Sequence, residues 1–227
     1  MVSDGPDQSA QEDEIVVLCF GDSNTWGSVP GSQERLPYAT RWPGVLQREL
    51  GRKYRVIEEG LPGRTTVLDD PLVPHRNGRD YLVPCLQSHR PLDIVVIFLG
   101  TNDLADRYSL PAMDIARAAA SLAVLVRASE SGRSGASPTP LLVCPPRLGD
   151  LTSRADTMSG ASARAAELPR CFRIAADEVD VSLVDLSGTL TYSDVDGVHL
   201  DADGHRRVSK AIADWIEGSI RDSRPQG

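Results

Sequence analysis

A chain of 227 residues, 41% hydrophobic and 25% charged, has enough apolar material for the core of one large α/β domain. Its formal charge of −8 is uneven: Asp4, Asp7, Glu12, Asp13 and Glu14 fall within the first fourteen residues with no base among them, leaving −3 for the rest. No basic patch is present to neutralise phosphates, which argues against a nucleic-acid partner. The acidic balance also argues against an anionic membrane.

The first residues have neither the positive start nor the apolar stretch of a secretion signal. The longest apolar runs, Ile15–Phe20 and Ile94–Leu99, are six residues each, far short of the roughly 20 needed to cross a bilayer. Cys19, Cys85, Cys144 and Cys171 are scattered without a C-x-x-C, and two of them lie inside apolar runs. They read as reduced structural thiols in a cytoplasmic protein, without a metal.

Residues 1–14 read as a disordered acidic tail, 15–222 as a single α/β domain and 223–227 as a flexible end. Short β-branched runs at Ile15–Phe20, Tyr54–Glu58, Asp93–Leu99, Leu141–Cys144 and Ser182–Asp185 fit strands buried on both faces. Helical spacing fills the intervals, near Pro43–Leu50, Gly78–Gln87 and Ala161–Glu178 and in the Ala-rich stretch holding Ile115, Leu122, Leu125 and Val126. The last helix is the clearest: Val208, Ala211, Ile212, Trp215 and Ile216 form one stripe. Alternating strands and helices predict right-handed crossovers and a parallel sheet covered on both faces. Ser129–Pro140 reads as a surface loop, and Arg147–Gly160, just past a strand, as a lid candidate.

In such a sheet chemistry gathers beyond the strand C-termini. The first run ends in Gly21-Asp22-Ser23-Asn24-Thr25-Trp26-Gly27, where a tight turn can present the Ser23 hydroxyl to a cleft. Serine needs a base. Of four histidines, His75 and His89 have no acidic partner in an evident position. His199, in Asp196-Gly197-Val198-His199, has a carboxylate three positions ahead that can bend back to one ring nitrogen. Asn102, in Gly100-Thr101-Asn102-Asp103, could donate to a developing oxyanion, and the bare backbone of Gly60 could approach a ligand closely.

These four ordered blocks make the sequence resemble the SGNH (GDSL-type) hydrolase superfamily. Ser23 matches its first block, Gly60 the second, Asn102 the third and Asp196/His199 the last. Trp26-Gly27, Arg41-Trp42, Val56–Leu61 and Arg64-Thr65-Thr66 are similar to its arylesterase/acyltransferase (perhydrolase) branch. The resemblance implies a three-layer flavodoxin-like fold, a five-stranded parallel sheet with helices on both faces. It implies cofactor-free hydrolysis of small-molecule acyl esters by Ser23, His199 and Asp196. It further implies an oxyanion hole from the Ser23 N–H, the Gly60 N–H and the Asn102 side chain. Homo-oligomers are expected from the branch, with no interface patch identified. Asn24 replaces the Leu of the eponymous motif, and Arg147–Gly160 lacks the bulky apolar residues of the acyltransferases' channel.

Each residue also has a plainer reading. Ser23 could cap a helix, Asp196 brace a turn, and Gly60 serve only for φ > 0. Trp26 and Trp42 either fill hydrophobic gaps or line an acyl pocket. Asp22 and Asp103 would hold the site loops by hydrogen bonds, Arg64 would form an intrachain or surface ion pair, and His205 would be structural. The rival activities are acyl transfer to an alcohol, amine or peroxide, and O-deacetylation of a sugar or natural product. A non-catalytic flavodoxin-like binder stands against the absence of any phosphate-loop pattern.

Overall fold

The computed structural model describes residues 14–222, so the expected tail, apart from Glu14, and the last five residues lie outside the described part. Five strands form one parallel sheet: β1 (Ile15–Gly21), β2 (Tyr54–Gly60), β3 (Ile94–Phe98), β4 (Thr139–Cys144) and β5 (Ser182–Asp185), in the order β2-β1-β3-β4-β5. The chain reverses its direction of sheet growth between β1 and β3, and the crevice beyond their C-terminal ends is where such sheets hold ligands.

Alternation along β1 explains the layers. Val16, Leu18 and Phe20 face one way, against α3 (Gly78–His89), α4 (Ala112–Arg127) and α5 (Ala161–Glu178); Leu82, Leu86, Ile115, Leu122 and Phe172 fill that side. Val17 and Cys19 face the other, against α2 (Trp42–Leu50) and α6 (Ala202–Asp222), where Trp42, Leu46, Val208, Ile212 and Ile216 pack. Each such side chain, fully buried, contributes about 1.5–3 kcal/mol. The predicted three-layer fold is the observed one, and the predicted α6 stripe is the surface laid on the sheet.

All four cysteines are buried free thiols. His205, at the start of α6, is also fully buried, and its Nδ1 accepts the Trp42 N–H at 3.1 Å. Among the described residues, no helix is long and apolar enough to cross a membrane.

Candidate active site

The turn after β1 becomes α1 (Ser23–Trp26), a single turn of helix whose cap is Asp22, not Ser23: the Asp22 carboxylate accepts the Asn24 N–H at 2.8 Å. The Ser23 hydroxyl is therefore not spent on capping. Its Oγ lies 3.0 Å from His199 Nε2, and His199 Nδ1 lies 2.6 Å from Asp196 Oδ2. Asp196 is buried, which alone would raise its pKa. The Gly31 N–H at 2.9 Å, the His199 ring and the Val198 N–H outweigh that and hold the carboxyl below the usual range. A carboxylate so fixed orients one imidazole nitrogen and leaves the other to the hydroxyl.

What brings residues 23 and 199 together is Asn24. Its Nδ2 donates to Val198 O and its Oδ1 accepts from Leu200 N, both at 3.0 Å, so the amide spans the main chain on either side of His199. Sequence reading flags Asn24 only as a departure from the motif; its partners lie too far along the chain to be read.

A small cavity of about 70 Å³ opens on Ser23, lined by Thr101, Asn102, Ala105, Arg107, Arg154, Thr157, Met158 and Val198. Three of these belong to the Arg147–Gly160 stretch, which is a pinned wall. Asp106 accepts from Ser159 N and Oγ at 2.7 and 2.8 Å, and Arg154 Nε donates to Asp196 O at 3.1 Å. Arg107 is turned to Asp70 at 2.8 Å.

Asn102 begins the short turn after β3. Its Nδ2 donates to Arg64 O at 3.0 Å and, at a longer 3.3 Å, to Asp22 Oδ2. Burial, with Asp103 nearby, pushes Asp22 up to about 7 against the hydrogen bonds from Asn24. Asp103 holds the loop after β2 through Thr66 N (3.1 Å) and Thr66 Oγ1, while burial lifts it to about 6.

Gly60 does not fit the donor role expected of it. Leu61 N bonds Gly21 O at 3.1 Å, so alternation along a parallel strand turns the Gly60 N–H to the outer side of β2, away from β1. Glycine is needed there because a Cβ would lie 2.1 Å from Trp26 N as α1 packs across the strand. Gly60 lines a separate cavity of about 500 Å³ with Leu61, Asp69, His75, Asp80 and Tyr81. Three residues on, Gly63 adopts φ +76° in the turn, and among the described residues its N–H has no acceptor.

Neither tryptophan lines the Ser23 cavity. Trp42 is fully buried in the core against Phe98, with ring centroids 6.4 Å apart. Trp26 lies under Arg35, whose guanidinium sits 4.9 Å from its ring centroid. Arg64 is not at the surface, and among the described residues it forms no ion pair; it is 2% exposed. His89 does have an acidic partner, Glu59 at 2.7 Å, supplied from β2. Glu59, His89 and Cys85 bring three metal-type ligand atoms within 4.8 Å of one another. Glu59 is already engaged by His89 and by Tyr81 OH at 3.2 Å, and burial pushes the Cys85 thiol up to about 12, which disfavours a thiolate ligand.

The GDSL-like lipase/acylhydrolase family model matches residues 19–207. The aryl esterase of M. smegmatis is 36% identical, with a TM-score of 0.86 over 90% of this chain and 99% of that one. A carbohydrate acetylesterase from Sinorhizobium meliloti gives the same identity, TM-score and coverage. None of the curated proteins matches in sequence. A five-stranded parallel fold shared with these enzymes, and a family model spanning most of the chain, make this protein a member of the GDSL-like lipase/acylhydrolase family, a carboxylic ester hydrolase.

Proposed function

We propose that this protein hydrolyses esters of small carboxylic acids through a covalent acyl-enzyme. The observation that carries the reading is the unbroken line from Ser23 Oγ to His199 Nε2 at 3.0 Å and from His199 Nδ1 to Asp196 Oδ2 at 2.6 Å, opening on a small cavity. His199 takes the Ser23 proton as Oγ bonds to the ester carbonyl carbon, and the carbonyl electrons move to oxygen. As the C–O bond to the alcohol breaks, His199 returns the proton to the leaving oxygen. Water then repeats both steps, releasing the acid and restoring Ser23. Asp196 stays ionised and steadies the imidazolium.

Three donors suit the oxyanion. The Ser23 N–H starts a helix and has no intrahelical acceptor. Asn102 keeps one amide hydrogen on Arg64 O and can turn the other from its longer contact with Asp22. The third is the Gly63 N–H, unpaired among the described residues, in the role the sequence motif suggested for Gly60.

A cavity of about 70 Å³ is far below the roughly 300–1,000 Å³ of drug-sized sites, so the acyl group is short, acetyl above all. That choice accords with the aryl ester and acetylated carbohydrate chemistry of the similar enzymes. Arg107, Arg154 and Thr157 give the cavity a polar lining that admits water, which favours hydrolysis over transfer to another acceptor.

The test is p-nitrophenyl acetate, butyrate and octanoate on wild type and Ser23→Ala, with a fluorophosphonate probe. Wild type turns over acetate best and is labelled, whereas Ser23→Ala loses both properties. Wild-type rates in Ser23→Ala would remove Ser23 as nucleophile.

A further inference from the structure

Arg64 is a buried cation without a carboxylate partner among the described residues, an expensive arrangement unless its hydrogen bonds serve a purpose. Its Nη1 donates to Gly21 O at 2.7 Å and also to Glu59 O. Those carbonyls belong to the C-terminal ends of two paired strands: Gly21 ends β1 two residues before Ser23, and Glu59 is next to last in β2, just ahead of the Leu61–Arg64 turn that carries Gly63. On its main-chain side, the Arg64 carbonyl accepts Asn102 Nδ2 at 3.0 Å. The guanidinium lies 4.2 Å from the Phe20 ring centroid and 5.2 Å from that of Tyr81, and these two rings stack at 6.3 Å. One residue therefore touches each of the three segments that deliver a donor to the oxyanion.

We propose that Arg64 is the positioning residue of the oxyanion hole: its side chain sets the spacing of the Ser23 and Gly63 N–H groups, and its carbonyl aims the Asn102 amide. The inference rests on the serine-esterase reading above. A planar fork against an aromatic face is what lysine cannot reproduce, although lysine keeps the charge. Arg64 lies outside the Ser23–His199–Asp196 line, so its loss acts where charge develops on the carbonyl oxygen and spares ground-state binding.

Arg64→Lys tests this with p-nitrophenyl acetate, a boronic acid that forms a tetrahedral adduct on Ser23, and thermal melting. Removal of one oxyanion donor elsewhere costs about 10²–10³ in kcat, and a misaimed hole should lose about 10–100-fold. KM is expected to hold within about twofold, boronate affinity to fall in parallel with kcat, and the pH profile to keep its shape. Asn102→Ala should then cost much less in the Arg64→Lys background than in wild type, because both changes damage one device.

Folded Arg64→Lys with wild-type kcat would overturn the proposal, as would full additivity with Asn102→Ala. Should Arg64→Lys fail to fold, Tyr81→Leu serves instead. Tyr81 is 42% exposed, so its loss leaves the core intact while freeing one side of the guanidinium. A fall in kcat at constant KM supports the proposal, and unchanged kcat and boronate affinity refute it. An active, fluorophosphonate-labelled wild type with an indifferent Arg64→Lys defeats the Arg64 assignment alone. A wild type that neither turns over the ester nor takes the label defeats both.

Discussion

Asn24 stands one place after Ser23, and both ends of its amide are committed to main chain 174 and 176 residues away. Truncation to alanine strands a buried carbonyl and a buried N–H at once, each worth about 1–3 kcal/mol when left unpaired. Asn24→Ala should therefore lose several kcal/mol in urea unfolding and lower kcat more than KM, because the His199 ring is no longer held to Ser23. A variant matching wild type in both would discredit the clamp. The meeting of Ser23, His199 and Asp196 was legible because each sits in a short motif whose chemistry is local: a glycine-bounded Ser, and an Asp three residues before a His. What stayed hidden depends on direction or on distant partners. No motif states which way the N–H of a strand-end glycine faces, and that separates Gly60 from Gly63. Nor does composition distinguish a tryptophan in the core from one in a pocket, and Trp42 is in the core. The Glu59 partner of His89 lies 30 residues away on another element.

At the level of elements, the wall from Arg147 to Gly160 bounds one side of the cavity that opens on Ser23. Its anchor is the Asp106 carboxylate, which four donors hold: Ser159 N, Ser159 Oγ, Gly160 N and Arg164. The Ser159 hydroxyl leads in drawing the Asp106 pKa down to about 2, so the staple stays charged across the neutral range. Met158 projects from this wall into the cavity and is 6% exposed. Met158→Ala leaves the staple alone and removes three heavy atoms from the wall. The kcat/KM ratio of butyrate to acetate should rise by up to about tenfold, the discrimination one or two methylenes carry in an apolar site. An unchanged ratio would mean that another surface limits acyl length. The strands were read within a residue or two of their ends; β1, β3 and β4 are buried on both faces as expected, whereas the edge strands β2 and β5 are mostly half-buried because each pairs on one side only. The wall was read only as a lid candidate, since its rigidity comes from Asp106, more than forty residues upstream.

For the molecule as a whole, the α2–sheet–α6 layer contains a buried histidine whose protonation the fold resists. Burial holds His205 down at about 4, and the nearby Asp201 offsets this only in part. An unfolded histidine titrates near 6.5. Between those values the unfolded chain gains a proton that the native state refuses, so this group erodes stability as pH falls from about 6.5 to 4 and is silent above. His205→Gln should narrow its stability deficit relative to wild type between pH 8 and pH 5, measured by urea unfolding at each pH. A constant difference would show that His205 does not titrate in the folded state as described. The covered parallel sheet was readable from the alternation of strand and helix runs, and the three-layer fold came with the family resemblance; the continuous apolar run of β1 fits because its alternate residues fill two separate cores.

Cys19, Cys85, Cys144 and Cys171 are sealed inside those layers, and burial raises the pKa of each. Sulfur reacts with electrophiles as its anion, and here that anion is both scarce and walled off. An alkylating agent in the surrounding water must wait for the protein to breathe, so adducts on these four atoms would tally openings of the fold and not collisions with its surface.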